Sequence, residues 1–176
     1  MSPAIIFGLQ SLLGYVAWLL CFGAYVWPRL RSMDPVAAHR AIATLHSFRF
    51  FGLAFVLPGF VGPSLPHGFA DYAAYGDFAT GLLAMLALLT VRIRPVFWSL
   101  VIAFNLVGVF DLFNAYYHGF QVQLAPIAGQ LGAGYAILIL YVPLLMVTHV
   151  AALYLLVRRQ PAATRAMAAP SPSLAR

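Results

Sequence analysis

Long apolar runs separated by short polar breaks organise this chain. Five runs, 4–27, 41–62, 71–91, 95–117 and 132–157, each supply the ~20 mostly apolar residues that a helix needs to cross the hydrocarbon of a bilayer. The breaks carry helix punctuation. Asp34-Pro35 sets a capping side chain ahead of a proline at the first helical position, so the second helix is expected to begin in the cytoplasm, before its apolar run. Pro58-Gly59 loosens the outer end of that helix. Pro143 falls inside the fifth run, where its missing N–H frees a carbonyl one turn back that a neighbouring helix must satisfy. From 158 to 176 the sequence RRQPAATRAMAAPSPSLAR is rich in Pro, Ala and Ser and reads as a disordered cytoplasmic tail. The pattern predicts an all-α fold, an integral membrane bundle of five transmembrane helices forming one domain over 1–157.

Composition agrees. Of the 176 residues, 63% are hydrophobic and 8% charged, against about 25% charged in ordinary soluble domains. The mean hydropathy of +0.90 excludes a soluble globular protein and, equally, a disordered chain. A single cysteine excludes a disulfide scaffold and a zinc site built from paired cysteines. All ten basic residues are Arg and all four acidic ones Asp; with so much Ala, this is the codon signature of a GC-rich bacterial genome.

Charge then sets orientation. Arg29, Arg31 and Arg40 lie between runs 1 and 2, Arg92 and Arg94 between runs 3 and 4, and Arg158, Arg159, Arg165 and Arg176 after run 5, while 63–70 and 118–131 hold none. Because Arg is retained on the cytoplasmic side, the N-terminus is expected outside and the C-terminus inside a bacterial inner membrane. A pI near 9.9 is thus a matter of topology and lipid attraction, and nucleic acid is not an expected partner. Tyr72, Tyr75, Tyr116 and Tyr117 read as outer interfacial anchors, Trp27 and Trp98 as inner ones.

The candidate chemistry lies in the few polar groups inside the runs, since each is costly in hydrocarbon unless it faces the bundle interior and finds a partner. They are His46, Arg49, Asp77, Asp111 and His149, with Asn105, Asn114, Thr80 and His118 extending the set. At 1.5 Å rise per residue, Asp77 and Asp111 both come out roughly 9 Å below the outer boundary, on consecutive antiparallel helices. They are expected to form an outer cluster with Asn114 and His118, with Thr80 on the same face of its helix as Asp77, and to share a proton. Arg49 and His149 come out roughly 12 Å from the inner boundary, with His46 somewhat shallower; Asn105 falls between the two clusters. His39 and His67 lie in or beside loops and are given no role.

Three functional readings follow. In the first, a polar interior binds or conducts a small ligand or protons. In the second, the chain is an accessory or structural membrane subunit whose polar groups only join helices. The third is chemistry: an intramembrane enzyme on a lipid-like substrate, or a b-type haem protein with His46 and His149 as axial ligands. The first is preferred, with no catalytic residue, cofactor or metal expected. Expected partners are membrane lipids and a small-molecule or ion ligand, with a second copy of the chain or another membrane subunit as further candidates. The stretches LHSFRFFGLAFVLPGFVGPSLP, AYGDFATGLLA, NLVGVFDLFNAYYHG and VPLLMVTHV, spread over residues 45–150, resemble small bacterial multi-pass proteins known only as hypothetical membrane proteins. That resemblance implies a multi-pass fold and no particular activity.

The charge asymmetry gives a direct test of orientation. Cysteines introduced at Ser2 and Ser173 should react with an impermeant thiol reagent from the outer and the cytoplasmic side respectively; labelling of both from one side would mean an even number of crossings.

Overall fold

A computed structural model describes residues 1–158, and every regular element among them is helical. In chain order these are α1 (Pro3–Ser32), α2 (Pro35–Ser47), α3 (His67–Leu89), α4 (Arg94–Gln121) and α5 (Gly134–Arg158). A single π-turn interrupts α1 at Phe22–Val26 and another interrupts α5 at Ile137–Tyr141. Four of the five, α1, α3, α4 and α5, are long and apolar enough to cross a membrane. Of the tail expected over 158–176, all but Arg158 lies outside the described residues.

The run at 41–62 is where the structure departs from a single long helix. The Asp34 cap forms as its sequence predicts, its carboxylate accepting from the backbone N–H groups of Val36 and Ala37, but the α-helix lasts only to Ser47. Phe48–Val56 continues as a 3-10 helix and the chain then turns, with Gly59 at φ +81°. Nine residues is long for a 3-10 helix, and tertiary contact explains it. With three residues per turn, Arg49, Gly52 and Phe55 stack on one face, and all three are buried. The neighbouring α3 comes so close at Gly81 that a Cβ there would stand 2.9 Å from the Phe50 backbone nitrogen. Packing against α3 thus overrides the local preference for an α-helix.

Two apolar cores form, one toward each end of the bundle. The core at the end of the Arg-containing breaks, the inner one by the expected orientation, joins Ala38, Ile42, Ala87, Phe97, Phe104 and Ala152; the other, the outer one by the same expectation, joins Phe55, Phe69, Ala74, Leu124, Ala128 and Leu131. Apart from His39, which lies among the residues of the first core, the buried polar residues of α2, α3, α4 and α5 fall between these two sets. The outer end is closed by turn-to-turn contact: a 3-10 helix at Ala125–Leu131 lies against the 57–66 segment, where Gly62 N–H donates to the Gln130 carbonyl at 2.6 Å.

Helix α1 packs differently from the rest. Large side chains such as Leu12, Leu13, Leu19 and Leu20 are exposed, and Gly14 is the only buried residue before the π-turn. The helix packs against the 3-10 helix at Ala125–Leu131 and along α5, including its loosened turn. Pro143 cannot donate to the carbonyl of Ile139, and that carbonyl lies against Gly14, so close that a Cβ at Gly14 would overlap it. The adjacent Leu140 carbonyl accepts from Trp18 Nε1 at 2.7 Å. Helix α1 therefore covers the turn that Pro143 loosens, with its hydrogen bond going to the neighbouring Leu140 carbonyl.

Replacing Gly14 by Val should push α1 off α5 and cost about 1–3 kcal/mol, as overpacking does. Gly8→Ala, where a Cβ meets nothing within 4 Å, should be near neutral. Thermal unfolding midpoints of the two variants in one detergent check the contrast.

Candidate functional site

Arg49 is the centre of the polar layer. It sits on the buried face of the 3-10 helix with no exposed surface, so its guanidinium must find all its partners within the protein. It finds three on three helices: Nε donates to Asp77 Oδ1 of α3 at 2.6 Å, Nη2 to Asp111 Oδ2 of α4 at 2.5 Å, and Nη1 to His149 Nε2 of α5 at 3.2 Å. Planar donors in a fixed fork suit such a junction, which a flexible ammonium would not hold with the same geometry.

Hydrogen bonds beyond Arg49 fix the protons. Asn105 Nδ2 donates to the Val101 carbonyl at 2.8 Å, which turns its Oδ1 toward His149 Nδ1 at 2.9 Å. Nδ1 therefore carries the hydrogen, and Nε2 is the acceptor that Arg49 requires. The Thr148 hydroxyl gives its hydrogen to the Leu144 and Leu145 carbonyls, so at 3.0 Å it accepts from His46 Nε2. His46 Nδ1 is left buried without a hydrogen-bond partner among the described residues.

Glycines open the space for these groups. A Cβ at Gly52 would overlap the Asp77 side chain, one at Gly76 the Asp111 carboxylate, and one at Gly108 the His149 imidazole, with Arg49 Nη1 at 2.8 Å from the same point. Three missing methyl groups on three different elements thus surround one ionic junction. Above the junction lies a cavity of about 690 Å³, walled by α1, α3, α4 and α5. Its lining is mostly apolar and aromatic; Asp77 and Asp111 are its only charged residues and form its floor, with Ser11, Tyr116 and Tyr117 as the other polar side chains.

Six of the expected residues come together: Arg49, Asp77, Asp111, His149, Asn105 and His46. The expected outer and inner clusters are one cluster, because the arginine stem and the stretched 3-10 backbone close the gap that a rise of 1.5 Å per residue had left between them. The two carboxylates each face Arg49. Three expected residues stay apart. Thr80 is buried, but its hydroxyl donates to the Gly76 carbonyl of its own helix at 2.9 Å. Asn114 is half-buried and outside the network. His118 stacks on Tyr72 with ring centroids 4.1 Å apart, further out along α4. His39, assigned to a loop neighbourhood, is buried in α2 edge-on to Trp98. Thr148, one residue before His149, and the glycines at 76 and 108 escaped the sequence reading; their signal was proximity in sequence to Asp77, Asp111 and His149.

The haem reading does not fit. The His46 and His149 rings lie 4.0 Å apart, centroid to centroid, and both Nε2 atoms are engaged, so the two cannot sit on opposite faces of an iron macrocycle. Among the described residues, no three His, Cys, Asp or Glu side chains are grouped to hold a metal ion.

A family model described as a domain of unknown function, DUF8737, matches residues 6–157. The chain belongs to that family. The match takes in every residue of the junction and all five helices but for the first three residues of α1 and the last of α5. No curated protein and no solved structure matches the chain.

Arg49→Met would leave two buried carboxylates without their cation and should cost about 3–5 kcal/mol, as breaking a buried pair does. Thr80→Ala, outside the network, should cost at most about 1 kcal/mol. Unfolding by a denaturing detergent, followed by circular dichroism, measures both.

Proposed function

We propose that this is a multi-pass protein of a bacterial inner membrane that binds a small ligand in its interior. Five crossings are the arrangement that the helices support best. Roughly 20 Å of α-helix in α2 and about 18 Å of 3-10 helix together exceed the ~30 Å of a hydrocarbon core. With α2 as a crossing, the Arg-containing breaks at 28–40 and 92–94 and the end of α5 share one side, the cytoplasmic one by charge. Exposed Leu13, Leu20, Phe110, Phe113 and Val150 give the bundle the apolar exterior that lipid requires.

The observation that carries the ligand reading is the cavity. Its volume of about 690 Å³ falls in the roughly 300–1,000 Å³ range of small-molecule sites, and an apolar wall with a few convergent polar groups is their usual chemistry. A bundle built only for stability would gain by filling that space.

The accessory-subunit reading has one observation in its favour. Arg49 ties the 3-10 helix to α3, α4 and α5 at once, which is what helix glue would do. The two readings part on cavity filling. Gently purified protein should carry a small molecule detectable by mass spectrometry, at close to one per chain. Ala115→Trp, which places an indole in the cavity one turn of α4 beyond Asp111, should lose that molecule and keep its helix content. If neither protein carries or takes up a small molecule, and Asp77→Asn and Asp111→Asn change only stability, the accessory reading holds.

A further inference from the structure

The junction is short of one positive charge. Three formally charged groups meet there, Arg49, Asp77 and Asp111, with side-chain exposures of 0%, 13% and 9%, and the hydrogen-bond pattern makes acceptors or neutral donors of both nearby imidazoles. With both carboxylates ionised, one guanidinium against two leaves a formal charge of −1 in surroundings where an uncompensated charge is costly, so the junction must take up either the shared proton expected from the sequence or a cation.

The unmet hydrogen-bonding capacity lies on the same side. Each carboxylate gives one oxygen to Arg49, Oδ1 of Asp77 and Oδ2 of Asp111. The others, Asp77 Oδ2 and Asp111 Oδ1, accept no hydrogen bond among the described residues, although Asp111 is 8% exposed and a carboxylate accepts up to about four. Both residues line the cavity floor, and Arg49 does not. Anything entering the cavity therefore meets the carboxylates first and the guanidinium only behind them.

We propose that the cavity takes an amphiphile with a single protonated amine, its ammonium group bonded to the free oxygens of Asp77 and Asp111 and its hydrocarbon body lying among Phe7, Phe69, Leu112 and Phe120. This rests on the ligand-binding reading above and adds the chemical class. An ammonium supplies both missing elements, one positive charge and N–H donors. A hydroxyl head supplies a donor and leaves the charge. An anionic head would add a second negative charge. The walls favour a long apolar body over a small hydrophilic cation.

Full-length protein in nanodiscs of neutral phosphatidylcholine, with empty nanodiscs as background, would be titrated separately with tritiated dodecylamine, dodecanol and dodecanoate. Dodecylamine should bind saturably and at least about tenfold more tightly than dodecanol, the worth of one charge-assisted hydrogen bond, and dodecanoate should not bind. Asp77→Asn and Asp111→Asn should each bring amine and alcohol to within about twofold, and Ala115→Trp should abolish saturable binding of every probe. Equal binding of the three probes, or tighter binding of the alcohol or the carboxylate, overturns the amine assignment and leaves the ligand-binding reading standing. Saturable binding of none of them overturns both. The ranking on the unaltered protein decides the matter even where an Asp variant fails to fold.

Discussion

A guanidinium with no exposed surface dictates the architecture around it. Arg49 cannot be neutralised by deprotonation in a protein, so the fold must bring acceptors to it from every side that packs against it. Asp77, Asp111 and His149 do so from three helices, and Asn105 in turn orients His149. The rest of the interior is arranged to let that happen. Apolar packing is divided into an inner and an outer core, and the polar layer occupies the level between them. Removing surface area from the helices at Gly52, Gly76, Gly81 and Gly108 lets backbones approach closely enough for short side chains such as Asp to reach.

The 3-10 helix belongs to the same solution. A continuous α-helix would turn successive positions by 100° and spread His46, Arg49, Gly52 and Phe55 around more of its circumference. Three residues per turn keep the later three in line. One stripe of α2 and its extension thereby serves, in order, an imidazole, a guanidinium, a gap for the Asp77 side chain and an aromatic wall of the cavity. This departure from regular structure lies where the interior is polar, which is where local rules are expected to yield.

Much of this was legible in the sequence. Apolar run length located α1, α3, α4 and α5, and the Asp34-Pro35 cap fixed where α2 starts, because both signals depend on local chemistry alone. The short list of buried ionisable groups was legible for the same reason: few polar residues interrupt the runs. The conformation at Phe48–Val56 was not, since α3 imposes it from outside the segment. Nor was the union of the two clusters. Depth counted along helix axes ignores side-chain length, and Arg49 spans the difference. Thr80 and Asn114 sat at plausible positions near the carboxylates, but a helical Thr can satisfy its hydroxyl on its own backbone, and Asn114, one turn beyond Asp111, lies outside the junction.

The way α1 is attached has a consequence for biogenesis. Its hydrogen bonds run to residues far along the chain, Tyr15 to Tyr116 and Trp18 to the Leu140 carbonyl, and its side chains enter the junction nowhere. As helices leave the ribosome in order, α1 is made before the others and finds its docking surface only after α5 has followed. Helix α3 can close onto α2 and α4 onto α3 as they emerge, while α1 waits with its leucines facing outward. The first helix of the bundle to be made is thus the last to be seated, and its arrival adds the wall of Phe7, Gly8 and Ser11 to a cavity that the later helices leave wider.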